Sequence, residues 1–158
     1  MWAWLKTLLV LAGLVWITPV YGQEVYDMRT FTYNEAADVS LAQFWQAYGI
    51  AVVIYGYASP PKKVIIVTSD LFNPYVFGFY DVAHEAVWIN ITAVDGNSDW
   101  LLYVLIHEIG HHLLTKQKVS FEDQHCQMYG ELDVKALKLA GLDSKELIDP
   151  FVAMGACS

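Results

Sequence analysis

Positive charge is scarce in this chain. Nine Lys and Arg stand against 17 Asp and Glu, for a net charge of −8 over 158 residues. Such a balance leaves no basic face of the kind that nucleic-acid binding needs, so no nucleic-acid partner is expected. Cysteine is scarce too: Cys126 and Cys157 are the two, which rules out a disulfide-dense scaffold. In an oxidising compartment they are expected to pair with each other, pinning the C-terminal tail beside the segment that follows a His-rich helix. Internal repeats, low-complexity tracts and any sign of a second domain are absent. The uninterrupted apolar stretch near the start, from Leu8 to Ile17, is shorter than the ~20 residues of a membrane-spanning helix.

That stretch has another reading. "MWAWLKTLLVLAGLVWITPVYG" carries one positive charge, Lys6, then the apolar core, then Pro19 and the small residues Val20 and Gly22. This is the three-part layout of a secretory signal peptide, expected to be cleaved between Gly22 and Gln23. No cysteine lies near that site, which argues against lipid attachment. The expectation is therefore a leader over residues 1–22 and one domain over 23–158, secreted or periplasmic, with no stable membrane insertion after cleavage. A chain of that length can bury one modest core.

Within the domain, "EAADVSLAQFWQAYG" reads as a helix. Ala37, Leu41, Phe44, Trp45 and Tyr48 fall at i, i+4, i+7, i+8 and i+11, with Asn34 as N-cap and Gly49 as the stop. "IAVVIYGY" (Ile50–Tyr57) and "VIIVTS" (Val64–Ser69) are β-branched runs and read as strands. Asn73–Pro74 marks a turn. "YVFGFY" and "AVWINIT" read as two arms of a hairpin around "DVAHE", whose His84 and Glu85 are expected in a solvated turn. "NIT" at Asn90–Thr92 matches the acceptor pattern for N-glycosylation in a eukaryotic host. A long helix follows from about Asp99 to Lys116, capped by Asn97 or Ser98. A polar link, "QKVSFEDQHC", leads to a helix over about 127–140 ended by Gly141. A last helical turn over 144–148 stops before Pro150. Strands gathered in one block favour α+β over a parallel α/β fold.

The long helix poses the functional question. "LLYVLIHEIGHHLLTKQ" is apolar, yet it holds three of the chain's five histidines, plus Glu108. Burying those groups costs free energy unless each finds a partner. His107 and His111 are four apart, so their imidazoles leave one helix face a turn apart and can share one Zn2+. Glu108, ~100° around the helix, lies beside the metal and can take a proton from a water that the metal polarises. His112 is turned off the ligand face and reads as structural. Gly110 lets another segment pack close, although a helical glycine costs up to ~1 kcal/mol against alanine.

A catalytic zinc takes a third protein ligand and keeps one position open. The downstream candidates are Glu122, Asp123, His125, Glu131 and Asp133. Glu131 is preferred, because it follows His111 by a link and the return of a second helix and opens "GELDVKALKLAG"; His125 is next. For the group that stabilises an oxyanion, Tyr80, His125 and Tyr129 are all open.

"HEIGHH" followed by "ELDVKA" resembles the zincin metallopeptidases, in the branch with a glutamate third ligand, and "ELDVKA" is similar to the downstream motif of small ImmA/IrrE-like peptidases. "GFYDVAHEAVWIN" resembles the hairpin that precedes the active helix there. The resemblance covers roughly 78–141. It implies a minimal zincin-like domain: a small, mostly antiparallel sheet packed on an N-terminal helix, the H-E-x-x-H helix and a C-terminal helix. It also implies zinc held by His107, His111 and Glu131, with Glu108 as general base and a peptide or protein as substrate. Val134 and Lys135 depart from the family motif, which removes the carboxylate that orients a ligand histidine there and leaves Asp133 to take that part. The metzincin pattern fails, since Gln117 stands where its third histidine would be. Two other classes share these residues: a non-catalytic, zinc-stabilised binding protein, and a zinc amidase acting on a cell-wall amide.

Overall fold

The structure is a computed structural model that describes residues 24–27, 41–67, 76–94 and 97–153. In chain order the elements are β1 (Glu24–Asp27), α1 (Leu41–Tyr55), β2 (Lys63–Val67), β3 (Gly78–Asp81), β4 (Ala86–Asn90), a single turn α2 (Ile91–Val94), α3 (Ser98–Lys116) and α4 (Phe121–Gln127). A π-helical turn (Met128–Leu132), α5 (Asp133–Ala140) and α6 (Ser144–Ala153) complete the order. The leader, the Asn34 cap, Ala37, the Asn73–Pro74 turn and Cys157 with its expected bridge to Cys126 lie outside the described residues.

The architecture is α+β, and α3 is its axis. Asn97 Oδ1 accepts from the backbone N–H of Asp99 and Trp100 at 3.0 and 3.1 Å, so of the two expected caps it is Asn97 that serves. Asp99 in the first turn and Lys116 in the last complement the helix dipole. From Tyr103 to Leu114 every residue is buried. A helix apolar on all sides must be covered on all sides, and here α1, the sheet and the rod formed by α4, the π turn and α5 do so.

The sheet runs β1-β2-β4-β3. β1 and β2 are antiparallel, β2 and β4 parallel with Lys63 opposite Ala86, and β4 and β3 form the expected antiparallel hairpin with Gly78 opposite Ile89. It is thus a mixed sheet, with two antiparallel pairings and one parallel. Val64, Ile66, Tyr80, Val87 and Ile89 point to α3 and join the main core; Ile65 and Ala86 lie on the other face with Trp88.

Three expectations are corrected. The first helix does not stop at Gly49, and "IAVVIYGY" is not a strand. Phe44, Ala47, Ala51 and Tyr55 are buried at helical spacing along one continuous face, and packing that face on α3 outweighs the β-preference of the Val and Ile between them. Gly56, at φ +99°, ends the helix instead. Second, the "polar link" after α3 is largely helical, because Gln124 and Met128 turn inward at i, i+4 and are buried. Third, α6 runs through Pro150. Both Pro150 and Glu146, whose carbonyl loses its i+4 donor, are exposed, so water can replace the missing bond.

Gly110 meets its expectation of close packing. A Cβ there would sit 2.8 Å from the Tyr55 ring and 3.0 Å from Met128 Cε, so its absence lets α1 and the π turn close on α3. Asn90 is buried, with Nδ2 donating to the Val76 carbonyl at 3.0 Å, so the folded chain does not offer it for glycosylation.

The hairpin tip is tied down more than a solvated turn would be. His84 is exposed beside Asp81, but Glu85 accepts from Lys62 at 2.5 Å and from Lys116 at the end of α3. Hydrogen bonds from Lys116 and then Lys62 push its carboxyl down to about 2, from an ordinary 4.5. A depressed acid stabilises the fold above its unfolded value and loses that contribution as pH falls through its folded one. Glu85→Gln is therefore expected to lower the thermal midpoint at neutral pH. The gap from wild type should shrink below about pH 4.5 and nearly close by about pH 2. A gap of constant size across that range would contradict the pairing.

Candidate metal centre

Helical spacing in α3 sets His107 and His111 one turn apart, with ring centroids 4.7 Å apart and planes nearly perpendicular. α4 carries His125 onto them. Its Nε2 lies 3.0 Å from His111 Nε2, and its ring stacks on His107 at 5.5 Å. Each of the three offers one ring nitrogen, and these lie within 4.8 Å of one another. Two nitrogens on one tetrahedral Zn2+, each at about 2.0–2.1 Å, sit about 3.3 Å apart.

Hydrogen bonds decide which nitrogens are free. His107 Nδ1 is 2.7 Å from Asp133 Oδ2, a carboxylate that only accepts, so Nδ1 carries a proton and Nε2 is the nitrogen that the neutral ring leaves bare. His111 Nδ1 is 2.7 Å from Gln124 Oε1. The orientation of that amide is fixed because its Nε2 donates to the Val119 carbonyl and to Thr115 Oγ1, at 3.0 and 3.1 Å. His111 Nδ1 must therefore donate as well, and its Nε2 is bare. A bare nitrogen facing His125 Nε2 at 3.0 Å is held there by a proton between the two or by a cation that both bind. A metal suits the arrangement, since outer partners that fix the tautomer are the usual companions of ligand histidines.

Charges follow the same logic. Burial, then the neighbouring His107, pushes His111 down to about 3, so it stays neutral. Burial and His107 also lower His125. Burial opposes a charge on His107, but Asp133 outweighs it and raises the imidazole. Asp133 is itself fully buried and accepts from His107, from Tyr103 Oη at 2.9 Å and from Tyr55 Oη. Burial penalises its charge, and these donors, His107 foremost, still hold it below the ordinary range.

Glu108 sits beside the cluster, 5 % exposed, with no hydrogen-bond partner for Oε2 among the described residues. Burial pushes its carboxyl up to about 7, against the pull of His107. It borders a cavity of about 180 Å³ that His107, His125 and Tyr129 also line.

Glu131 is not at the centre. Its side chain is 65 % exposed and bonds Lys135 at 2.5 Å. The rod turns His125, Tyr129 and Asp133 inward at i, i+4 and i+8; residue 131, midway between the last two, falls about half a turn away. The π turn, wider than an α turn, keeps those three in line. His125 thus stands where Glu131 was expected. Glu122 and Asp123 are exposed on α4. His112 is structural in its bonding: Nε2 donates to the Ser59 carbonyl at 2.7 Å, and Nδ1 accepts from Tyr80 Oη at 2.8 Å. Tyr80 is thereby engaged away from the centre, whereas Tyr129 Oη lies 3.5 Å from His107 Nε2.

Gln124, Tyr55 and Tyr103 had no role in the sequence reading. The four-residue rhythm of His125, Tyr129 and Asp133 is the signal that marks the inner face of the rod; nothing local marks Tyr55 or Tyr103 as partners of Asp133. No family model, no curated protein and no solved structure matches this chain.

The geometry makes a direct prediction for metal content by elemental analysis. Wild type and Glu131→Ala should both hold near-stoichiometric metal, and His125→Ala should lose most of it. Metal lost with Glu131 and kept without His125 would reverse the assignment.

Proposed function

We propose that this chain is a zinc-dependent peptidase, with zinc held by His107, His111 and His125 and Glu108 as the general base. The observation that carries the reading is a buried carboxylate with one oxygen unpartnered among the described residues, on a side chain that borders a cavity beside three converging imidazoles. A purely structural metal site has no use for such a group. Three protein ligands with a fourth position open is also the catalytic rather than the structural form of a zinc site.

Zinc would supply a polarised water with a pKa near ~7 and a Lewis acid for the amide carbonyl. The protein's own residues do the rest. Glu108, made more basic by burial, takes the proton from the attacking water and returns it to the leaving amine. Asp133 and Gln124 hold His107 and His111 in the tautomer that leaves Nε2 free. Tyr129 is the proposed donor to the developing oxyanion. Its hydroxyl is next to the cluster, and burial followed by the charge of Asp133 keeps it protonated. A histidine third ligand departs from the glutamate branch that the sequence resembles, and the zincin relationship itself belongs to this proposal. So does the extracytoplasmic location, which rests on the leader-like first 22 residues.

Glu108→Gln is the test. In a fluorogenic peptide-library assay the variant should lose about 10²–10⁴-fold in kcat/KM while keeping the zinc content of wild type. Unchanged hydrolysis would remove Glu108 from the mechanism. Zinc bound at full occupancy with no hydrolysis by wild type would point instead to a metal that only holds the domain together; turnover of peptidoglycan but not of peptides would point to the amidase.

A further inference from the structure

We propose that the cavity beside Glu108 is a specificity pocket for one large apolar side chain, aromatic or branched aliphatic, next to the scissile amide. The inference rests on the peptidase reading above and adds the substrate class.

The cavity has two unlike ends. One is the chemistry: Glu108, His107 and His125. The other is built from Val76, Phe77, Val104, Tyr103, Tyr129 and Phe151. Phe151, brought in by α6, closes that end. Its ring packs on Phe77 at 5.4 Å, on Tyr103 at 5.9 Å and in parallel on Tyr129 at 5.7 Å. Phe77 in turn stacks on Trp100 at 5.2 Å, so the wall is braced from behind. Tyr103 Oη is engaged on Asp133, and Tyr129 Oη is turned to the chemical end, towards His107. The side chains at this end are aromatic rings and valines.

Size and charge narrow the occupant. At about 180 Å³ the space is below the ~300–1,000 Å³ of pockets that enclose a whole small ligand; it takes one side chain with the adjoining peptide group. Among the described residues the lining contains no Lys or Arg, and its one carboxylate is the proposed base. A charged substrate side chain would be stripped of water there without a partner, whereas an aromatic ring would find the edge and face contacts that rings prefer. Gly78 and Glu108 line the cavity together, and the glycine lets β3 close on its neighbours, since a Cβ there would meet the Trp88 carbonyl oxygen at 2.6 Å, Val104 Cγ1 at 3.0 Å and Glu108 Cγ at 3.2 Å. The pocket and the base are therefore contiguous, which puts the bound side chain beside the bond to be cut.

The test uses the zinc-loaded full chain and two readouts. Cleavage-site profiling on a peptide library should give about 10–200-fold preference for Phe, Tyr, Leu or Ile over Ala at one position flanking the cut, with Asp, Glu and Lys rejected. Binding of phenylalanine hydroxamate against glycine hydroxamate, by calorimetry, should show a preference in the same direction without any turnover. Phe151→Ala should weaken both preferences. Val76→Trp, at a partly exposed lining position outside the main core, should narrow the pocket and shift cleavage to small residues. Cleavage with no apolar preference, or a zinc-bound Val76→Trp with an unchanged profile, would overturn the pocket and leave the peptidase reading standing. A hydroxamate preference from a protein that cleaves no peptide would uphold the pocket and sink that reading.

Discussion

The buried carboxylate of Asp133 is the contact on which the rest depends. It accepts from Tyr55 on α1, from Tyr103 and His107 on α3, and is itself on α5, so one side chain joins three helices. A carboxylate with no exposure is tolerable only if its donors replace the water it has lost. Each donor is also a constraint. Tyr55 reaches Asp133 across Gly110, where any side chain would strike its ring. Tyr103 contributes its ring to the cavity wall while its hydroxyl is held away from it. His107 is fixed with Nε2 towards His111 and His125. The glycine inside H-E-I-G-H and the histidine at its start are thus linked through two side chains that are distant in sequence.

The centre and the cavity share a wall, and that sharing shapes the proposed chemistry. Tyr129 stacks on His107, on His125 and on Phe151, and so joins the centre to the cavity wall. Glu108 borders both. A group bound against Phe151 and Phe77 would lie close to Glu108, the proposed base, and to the histidine nitrogens, which is the positioning the proposed hydrolysis needs. The hairpin supplies the opposite rim through Gly78, and its tip is anchored to the end of α3 by Glu85 and Lys116. The rim is held at both ends rather than by the sheet alone.

Much of this was legible in the sequence where the signal is local. The i, i+4 histidines, the intervening Glu, the Asn97 cap, the Gly141 stop and the β3–β4 hairpin follow from short-range patterns. The errors share one cause: they depend on which face of an element meets another. Val52, Val53 and Ile54 look like a strand until Phe44, Ala47, Ala51 and Tyr55 are counted as one helical stripe. Glu131 looks like a ligand until the phase of the rod is known, and that phase is set by a π turn with no local mark in "MYGEL". Zinc chemistry accepts carboxylate or imidazole, so the donor type could not choose between Glu131 and His125; only the packing of α4 on α3 does.

The central claim is that three imidazoles and no carboxylate of the C-terminal rod surround the metal. X-ray absorption on the zinc-loaded chain measures this directly. The account predicts three imidazole nitrogens at about 2.0–2.1 Å with one further light-atom scatterer in the open position. A first shell containing two imidazoles and a protein carboxylate, or a folded chain that takes up no zinc at all, would contradict it.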